Sequence, residues 1–408
     1  MRSTTGTQRG DRRGSARTED PDSSRASGEA CALRRVQVRA RLGRASLVCV
    51  LLALLGGCAT QQRVEVPTRH PADVRAQLVQ LLPRETRDRE GWATDIQSAF
   101  QLLDIPPSTE NLCAVLAVTE QESTFTADPV VPGLAKIARG EIDRRAAERR
   151  IPQLLVRAAL LIKSPDGRSH GERIAAVRTE KEMSGIFEDF IDKVPMGQRL
   201  LGGANPVRTG GPMQVSIAFA QQHARNHSYP YPMVGSVRDE VFTRRGGMYF
   251  GIAHLLDYPS SYTRHLYRYA DFNAGWYASR NAAFQAAVTA ASGVPLALDG
   301  DLILHREDRV GATESAVRSL GGQIGMSDAA IRRALEQGDR FAFERTDLHE
   351  RVFALAERME RRALPRAVMP DIDLHSPKFT RKLTTQWFAT RVEQRYRQCV
   401  AKAFAGKS

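Results

Sequence analysis

Apolar residues recur at helical spacing along nearly the whole of this 408-residue chain, and strong period-two alternation is found nowhere. A mainly α fold is therefore expected. Residues 72–82 and 92–103 read as amphipathic helices divided by Pro83 and a charged turn. Helical spacing returns at 153–163, 183–193, 313–320, 327–337, 348–362 and 380–403. Pro365 and Pro370 mark a linker before the last of these, and no internal repeat is present. The length suits one large or two packed helical domains.

One helix carries a feature that core packing does not explain. It begins after Pro106-Pro107, with Ser108 or Thr109 as N-cap, and runs to about Ser123. At about 100° per residue, Leu112, Val115, Leu116 and Thr119 share a face. Glu122, seven residues after Val115, returns to that apolar face, whereas Glu120 points away. A carboxylate desolvated without an obvious cation favours its protonated form. Such a group can protonate a glycosidic oxygen. A lone Glu at a helix end is ordinarily a frayed last-turn residue, so weight falls on the strings around it and later in the chain.

Three such strings occur in order: Gln121-Glu122-Ser123-Thr124-Phe125, then Gly211-Pro212-Met213-Gln214, then Phe272-Asn273-Ala274-Gly275. Between the last two lies a glycine-containing helical stretch, residues 247–256. In this order the strings resemble those of the lytic transglycosylases of the lysozyme-like superfamily. These carry Glu-Ser at a helix end, then Gly-Leu-Met-Gln opening a helix, then Tyr-Asn-Ala-Gly. The resemblance covers residues 91–290, about half of the chain. It implies a lysozyme-like α+β core reduced mostly to helices. It implies Glu122 as the single general acid, then base, cleaving the bond between N-acetylmuramic acid and N-acetylglucosamine. The C6 hydroxyl of the muramic acid would then close a 1,6-anhydro ring. Met213 and Gln214 would line sugar subsites, Asn273 would hold the sugar, Phe272 would take the tyrosine's place, and Ser123 would edge the cleft.

Three departures stand out. Pro212 replaces Leu, which suits the first turn of a helix. Phe272 lacks the hydroxyl of the usual tyrosine, and Tyr269 or Tyr277 are the nearby replacements. Residues 129–209 form an insert of 81 residues, which reads as extra helices forming a lid or side wall, or blocking long glycans. These departures keep a second reading open, a non-catalytic peptidoglycan-binding or envelope-assembly lipoprotein. Hydrolysis ordinarily needs a second carboxylate across the bond. Asp128 and Asp271 are candidates by position alone, each more simply a loop or capping residue.

Other chemistries find little support. His223 and His227 sit four apart, but Ala224 stands where a zincin has Glu, so no metal and no cofactor is expected. P-loop, dinucleotide and Gly-x-Ser-x-Gly patterns are absent from the sequence.

The N-terminus reads as an export signal. A basic stretch spans Arg34 to Arg44, and a 13-residue apolar run at 45–57 ends in Leu55-Gly56-Gly57-Cys58. This resembles a bacterial lipobox, which implies removal of residues 1–57, acylation of Cys58 and a lipid anchor in the membrane. Ala59 after it implies the outer membrane, facing the periplasm. The removed part carries eleven Arg and five acids, leaving a net charge of +7 of the chain's +13. That balance suits anionic peptidoglycan and phospholipid surfaces. Nucleic acid is not an expected partner of an exported chain. Residues 58–90 would be a tether and lead helix, and 291–408 a C-terminal helical region. Cys113 and Cys399 remain in the mature chain, either bridged or as two small buried hydrophobes.

Overall fold

Helix α1 (Pro71–Leu81) starts with Pro at N1, where a missing N–H costs nothing, behind a His70 side chain that accepts from Ala72 N. Helix α2 (Arg89–Leu102) is capped by Asp88, and α3 (Thr109–Ser123) by Ser108, whose Oγ accepts from Asn111 N at 3.1 Å. Of the two N-caps open in the sequence, Ser108 is the one used. The computed structural model describes residues 69–193, 199, 205–304, 309–374 and 382–405. The segment read above as an export signal, with Cys58, lies outside them.

The insert forms α4 (Leu134–Glu148), α5 (Gln153–Leu160), α6 (His170–Ala176) and α7 (Glu180–Lys193). A short hairpin comes next, β1 (Thr209–Gly210) against β2 (Val215–Ser216), antiparallel with Gly210 opposite Val215. Then come α8 (Ile217–Asn226), α9 (Val237–Val241), α10 (Arg244–Leu256), α11 (His265–Ala274) and α12 (Ala278–Ser292). The C-terminal region adds α13 (Ala312–Ser319), α14 (Gly321–Ile324), α15 (Asp328–Leu335) and α16 (Asp347–Glu360). A second hairpin, β3 (Asp373–Leu374) with β4 (Leu383–Thr384), leads into α17 (Thr385–Ala405). The fold is mainly α. Two-residue strands are too short to leave an alternation in the sequence.

Two apolar clusters form the interior. The first joins α1–α3, α10, α11 and Phe388, Ala389 and Val392 of α17, and takes Leu134, Ile174, Met183 and Ile186 from the insert. The second runs from Ala283 to Ala356, built on α12 and α16. A boundary near residue 290 is expected from sequence; the two clusters part before Ala283, so α12 belongs to the C-terminal core. The last helix does not stay with that core. It returns to pack along α3 and α11, and a disulfide joins Cys113 to Cys399.

Arg280 on α12 is fully buried. Its guanidinium donates to Arg340 O at 2.8 Å, to Gly338 O and to Asn281 Oδ1, and lies 4.2 Å from the Tyr277 ring centroid. Removing it leaves a void and strips buried carbonyls of a donor. Arg280→Ala is expected to lower stability by about 3 kcal/mol, read as a shifted urea midpoint at unchanged slope.

His349 is buried among Phe284, Phe343 and Phe353. Burial, then the nearby Arg280 and Arg366, push its pKa from 6.5 down to about 4. Below pH 6.5 the unfolded chain takes up a proton that the folded chain refuses until about pH 4. Stability is therefore expected to fall by about 3 kcal/mol across that window on account of this one group. Melting temperature measured from pH 7.5 to 4 should show the loss, and His349→Leu should remove this residue's share of it, leaving that of His254, which burial also pushes down to about 4.

Candidate functional site

Helix α3 is buried on every side from Leu112 to Thr119, because α10 packs one flank and α17 another. Burial thus extends beyond the apolar face of Leu112, Val115, Leu116 and Thr119: the small residues Cys113, Ala114 and Ala117 admit close neighbours as well. Glu122 lies half-buried in the last turn. Glu120 pairs with Arg395 of α17, Oε1 to Nε 3.4 Å.

The chain then leaves α3 under strain. Thr124 (φ 51°) and Phe125 (φ 57°) are both left-handed, an unfavourable conformation for a β-branched and a bulky aromatic residue. Phe125 is held there by an edge contact with Trp92, centroids 5.6 Å apart. Ser123 is buried, and its Oγ bonds locally, donating to Thr119 O at 3.2 Å and accepting from Thr126 N at 3.3 Å. Its hydroxyl closes the helix end, in place of the cleft edge expected for it.

The second string is the turn of the β1–β2 hairpin. The helix that it was expected to open starts later, at Ile217. Gly211 (φ 72°) passes so close to Val241 O that a Cβ would lie 2.0 Å from it. The turn rests on the glycine side of α10. A Cβ on Gly247 would meet Pro212 Cδ at 2.3 Å, and one on Gly251 would meet Met213 Sδ at 2.5 Å. Met213 is fully buried in this seat, so it underpins the turn and does not line an open subsite. Gln214 is left-handed (φ 49°) and half-buried. Its Oε1 accepts from Thr209 Oγ1 at 3.2 Å. The adjoining flank of α10 reaches α3, with Met248 Sδ 3.8 Å from Thr119 Oγ1, one turn before Glu122.

The third string ends α11. Phe272 is buried, its ring 4.9 Å from His254. Asn273 is exposed, and its Oδ1 accepts from Thr385 Oγ1 at 3.0 Å, at the start of α17. Neither nearby tyrosine offers a hydroxyl in place of the missing one. Tyr277 donates to Pro259 O, and Tyr269 is sealed beside Tyr396 and His265. Asp271 is fully buried and accepts from Tyr262 Oη at 2.7 Å, Ser279 N at 2.8 Å, Tyr277 N at 3.0 Å and Tyr258 Oη at 3.2 Å. Burial raises its pKa despite these donors. It ties the α11–α12 turn together and faces no substrate. Asp128 is half-buried and likewise raised, chiefly by desolvation, with Thr179 and Lys181 as its hydrogen-bond partners.

Beside the third string lies a cavity of about 590 Å³, within the range of small-molecule sites. Phe219, Trp276 and His254 give it an aromatic wall, and Asn226, Asp299 and Asp301 a polar one. His223 and His227 stack at its edge, centroids 4.5 Å apart. His223 Nε2 lies 3.5 Å from Asp257 Oδ2, yet neither ring nitrogen makes a hydrogen bond. Burial alone pushes His254 down to about 4, so it is neutral at physiological pH. Two further cavities, of about 280 and 570 Å³, adjoin Arg268 and Arg280 respectively. Glu122, Met213, Gln214 and Asn273 line none of the three. No group of three or more metal-ligating side chains occurs among the described residues. Trp276 and His254 were not legible as site residues; the one signal was a tryptophan directly after Asn273-Ala274-Gly275.

A family described as a protein of unknown function (DUF1615) matches residues 85–402. Over 360 residues the sequence is 55% identical to an uncharacterized protein, YaiW, of Escherichia coli (strain K12), covering 88% of this chain and 98% of that protein. Neither comparison names a lysozyme-like or lytic transglycosylase family. No solved structure matches.

Proposed function

The chain belongs to the DUF1615 family, whose match spans most of its length, and from its motifs and packing we propose that it is a peptidoglycan lytic transglycosylase. Glu122 is its single general acid, then base, acting on the bond between N-acetylmuramic acid and N-acetylglucosamine. One observation carries this reading: α10 links the first two strings. Pro212 and Met213 are seated on its glycines, and Met248 touches α3 one turn before Glu122. Strain at Thr124, Phe125 and Gln214 supports it, since backbone strain concentrates at functional sites. The aromatic and polar cavity after Asn273 suits a sugar ring, which offers an apolar face and a rim of hydroxyls.

On this reading Glu122 donates its proton to the glycosidic oxygen and the bond to the anomeric carbon breaks. The carboxylate then takes the proton of the muramic C6 hydroxyl as that oxygen closes on the same carbon. No second carboxylate is required, in keeping with an Asp271 that is wholly engaged in the fold. The lipobox-like segment at 55–58 supports an acylated Cys58 and a place on the periplasmic face of the outer membrane. No described helix is long and apolar enough to cross a membrane.

Phe272 favours a second reading. Its ring is turned onto His254 and carries no hydroxyl, and Tyr277 spends its own on Pro259 O, as in a cleft that binds peptidoglycan without cutting it. Incubating purified sacculi with the protein and analysing the soluble products by mass spectrometry separates the two. Anhydro-muropeptides are expected. Retention on sacculi with no soluble product would leave the binding protein.

A further inference from the structure

An amphipathic helix normally turns its apolar stripe inward, and α5 does the reverse. At about 100° per residue, Leu154, Leu155, Ala158 and Leu161 fall within an arc of about 120°. That arc faces solvent: Leu154 is 71% exposed, Leu155 58% and Leu161 73%. The opposite side holds Val156, the buried residue of the helix, with Leu160 against the core. Ile151 and Ile162, at either end, are exposed as well. Five exposed large hydrophobics within twelve residues form a patch, not scattered surface residues.

Charge around the patch is one-sided. Among the exposed residues from 147 to 163, Arg149, Arg150, Arg157 and Lys163 outnumber a single acid, Glu148; just beyond, Glu172 lies 3.9 Å from Lys163, which leaves the three arginines as the excess. Apolar side chains rimmed by cations match the boundary of an anionic bilayer, where leucines enter the acyl region and cations meet headgroup phosphates. A protein groove would supply apolar contact without calling for an excess of cations around it. We infer that α5 and its flanks, residues 149–163, dock this protein on an anionic phospholipid surface. The inference stands apart from any glycan chemistry, since no string of the candidate site lies in this segment. It assigns a role to part of the insert: a second, reversible membrane contact that fixes which way the body faces.

Hydrogen exchange of the full chain tests this, read on the peptide covering 151–163. Vesicles of phosphatidylethanolamine with phosphatidylglycerol are compared with vesicles of phosphatidylcholine alone. Any N-terminal anchor is present in both arms. Exchange is expected to slow roughly tenfold on the anionic vesicles and to stay unchanged on the neutral ones. L154S/L155S/L161S should abolish the protection while peptides elsewhere exchange as before. The triple variant R149Q/R150Q/R157Q, which keeps every leucine, should lose most of it. Equal exchange with and without anionic vesicles would overturn the inference. So would protection that ignores the three arginines, or that rises with protein concentration in the absence of lipid, the mark of a second copy.

Discussion

Glu122→Gln is expected to reduce anhydro-muropeptide release from sacculi by about 10²–10⁴-fold, the usual contribution of a positioned acid or base. The amide keeps the size of the side chain but can neither deliver a proton to the glycosidic oxygen nor take one from the C6 hydroxyl. Far-UV circular dichroism and melting temperature should match the parent, since the residue is half-buried in a last helical turn. Glu120→Gln is the matched control, two residues away on the same turn. It breaks a partly exposed pair with Arg395, worth at most about 1 kcal/mol, and should leave release intact. Equal activity in Glu122→Gln and parent would remove the transglycosylase mechanism. Products with ordinary reducing ends would point to water as nucleophile and to a second carboxylate.

The second large effect concerns the disulfide. Cys113 and Cys399 are separated by 286 residues, so the bridge restrains a very long loop in the unfolded chain. The double variant Cys113→Ala/Cys399→Ala is expected to lose about 3–5 kcal/mol, measured by urea unfolding of the oxidised parent beside it. Reducing the parent should reproduce the loss. Local damage is expected where α17 meets α3. Protease cleavage should appear first in the C-terminal half of α17, where the Glu120–Arg395 pair and the bond from Lys402 Nζ to Leu81 O of α1, 3.2 Å, are among the remaining ties. Identical midpoints for parent and double variant would mean that packing alone holds the helix.

Helix positions were largely legible in the sequence because caps and period are local. Ser108 ahead of α3, Pro71 opening α1 and the periods of α13, α15 and α16 each state their element within a few residues. The features that were not legible depend on distant partners. The burial of α3 beyond its apolar face could not be read because α17, nearly 300 residues later, covers it. Pro212 suits a helix start by its own geometry, yet three glycine-mediated approaches, at Gly211, Gly247 and Gly251, draw its segment into a hairpin turn. Met213 obeys the same logic. A resemblance assigns it to a sugar, whereas the absence of a side chain at Gly251 makes a seat for it in the core. Ser123, too, spends its hydroxyl on the backbone. Glu122, Gln214 and Asn273, by contrast, keep part of their surface in solvent.

The return of α17 to α3 also sets an order of events. Ribosomes deliver a chain from its N-terminus, yet α3 acquires its covering only when residues 385–405 arrive. A nascent or truncated chain therefore has its acid-bearing helix exposed and its long-range cysteine pair unmade. Completion of the first core waits for residues 385–405, a slow, non-local closure. The last helix thereby couples distant parts of the sequence: both the covering of α3 and the partner of Cys113 come from residues 385–405.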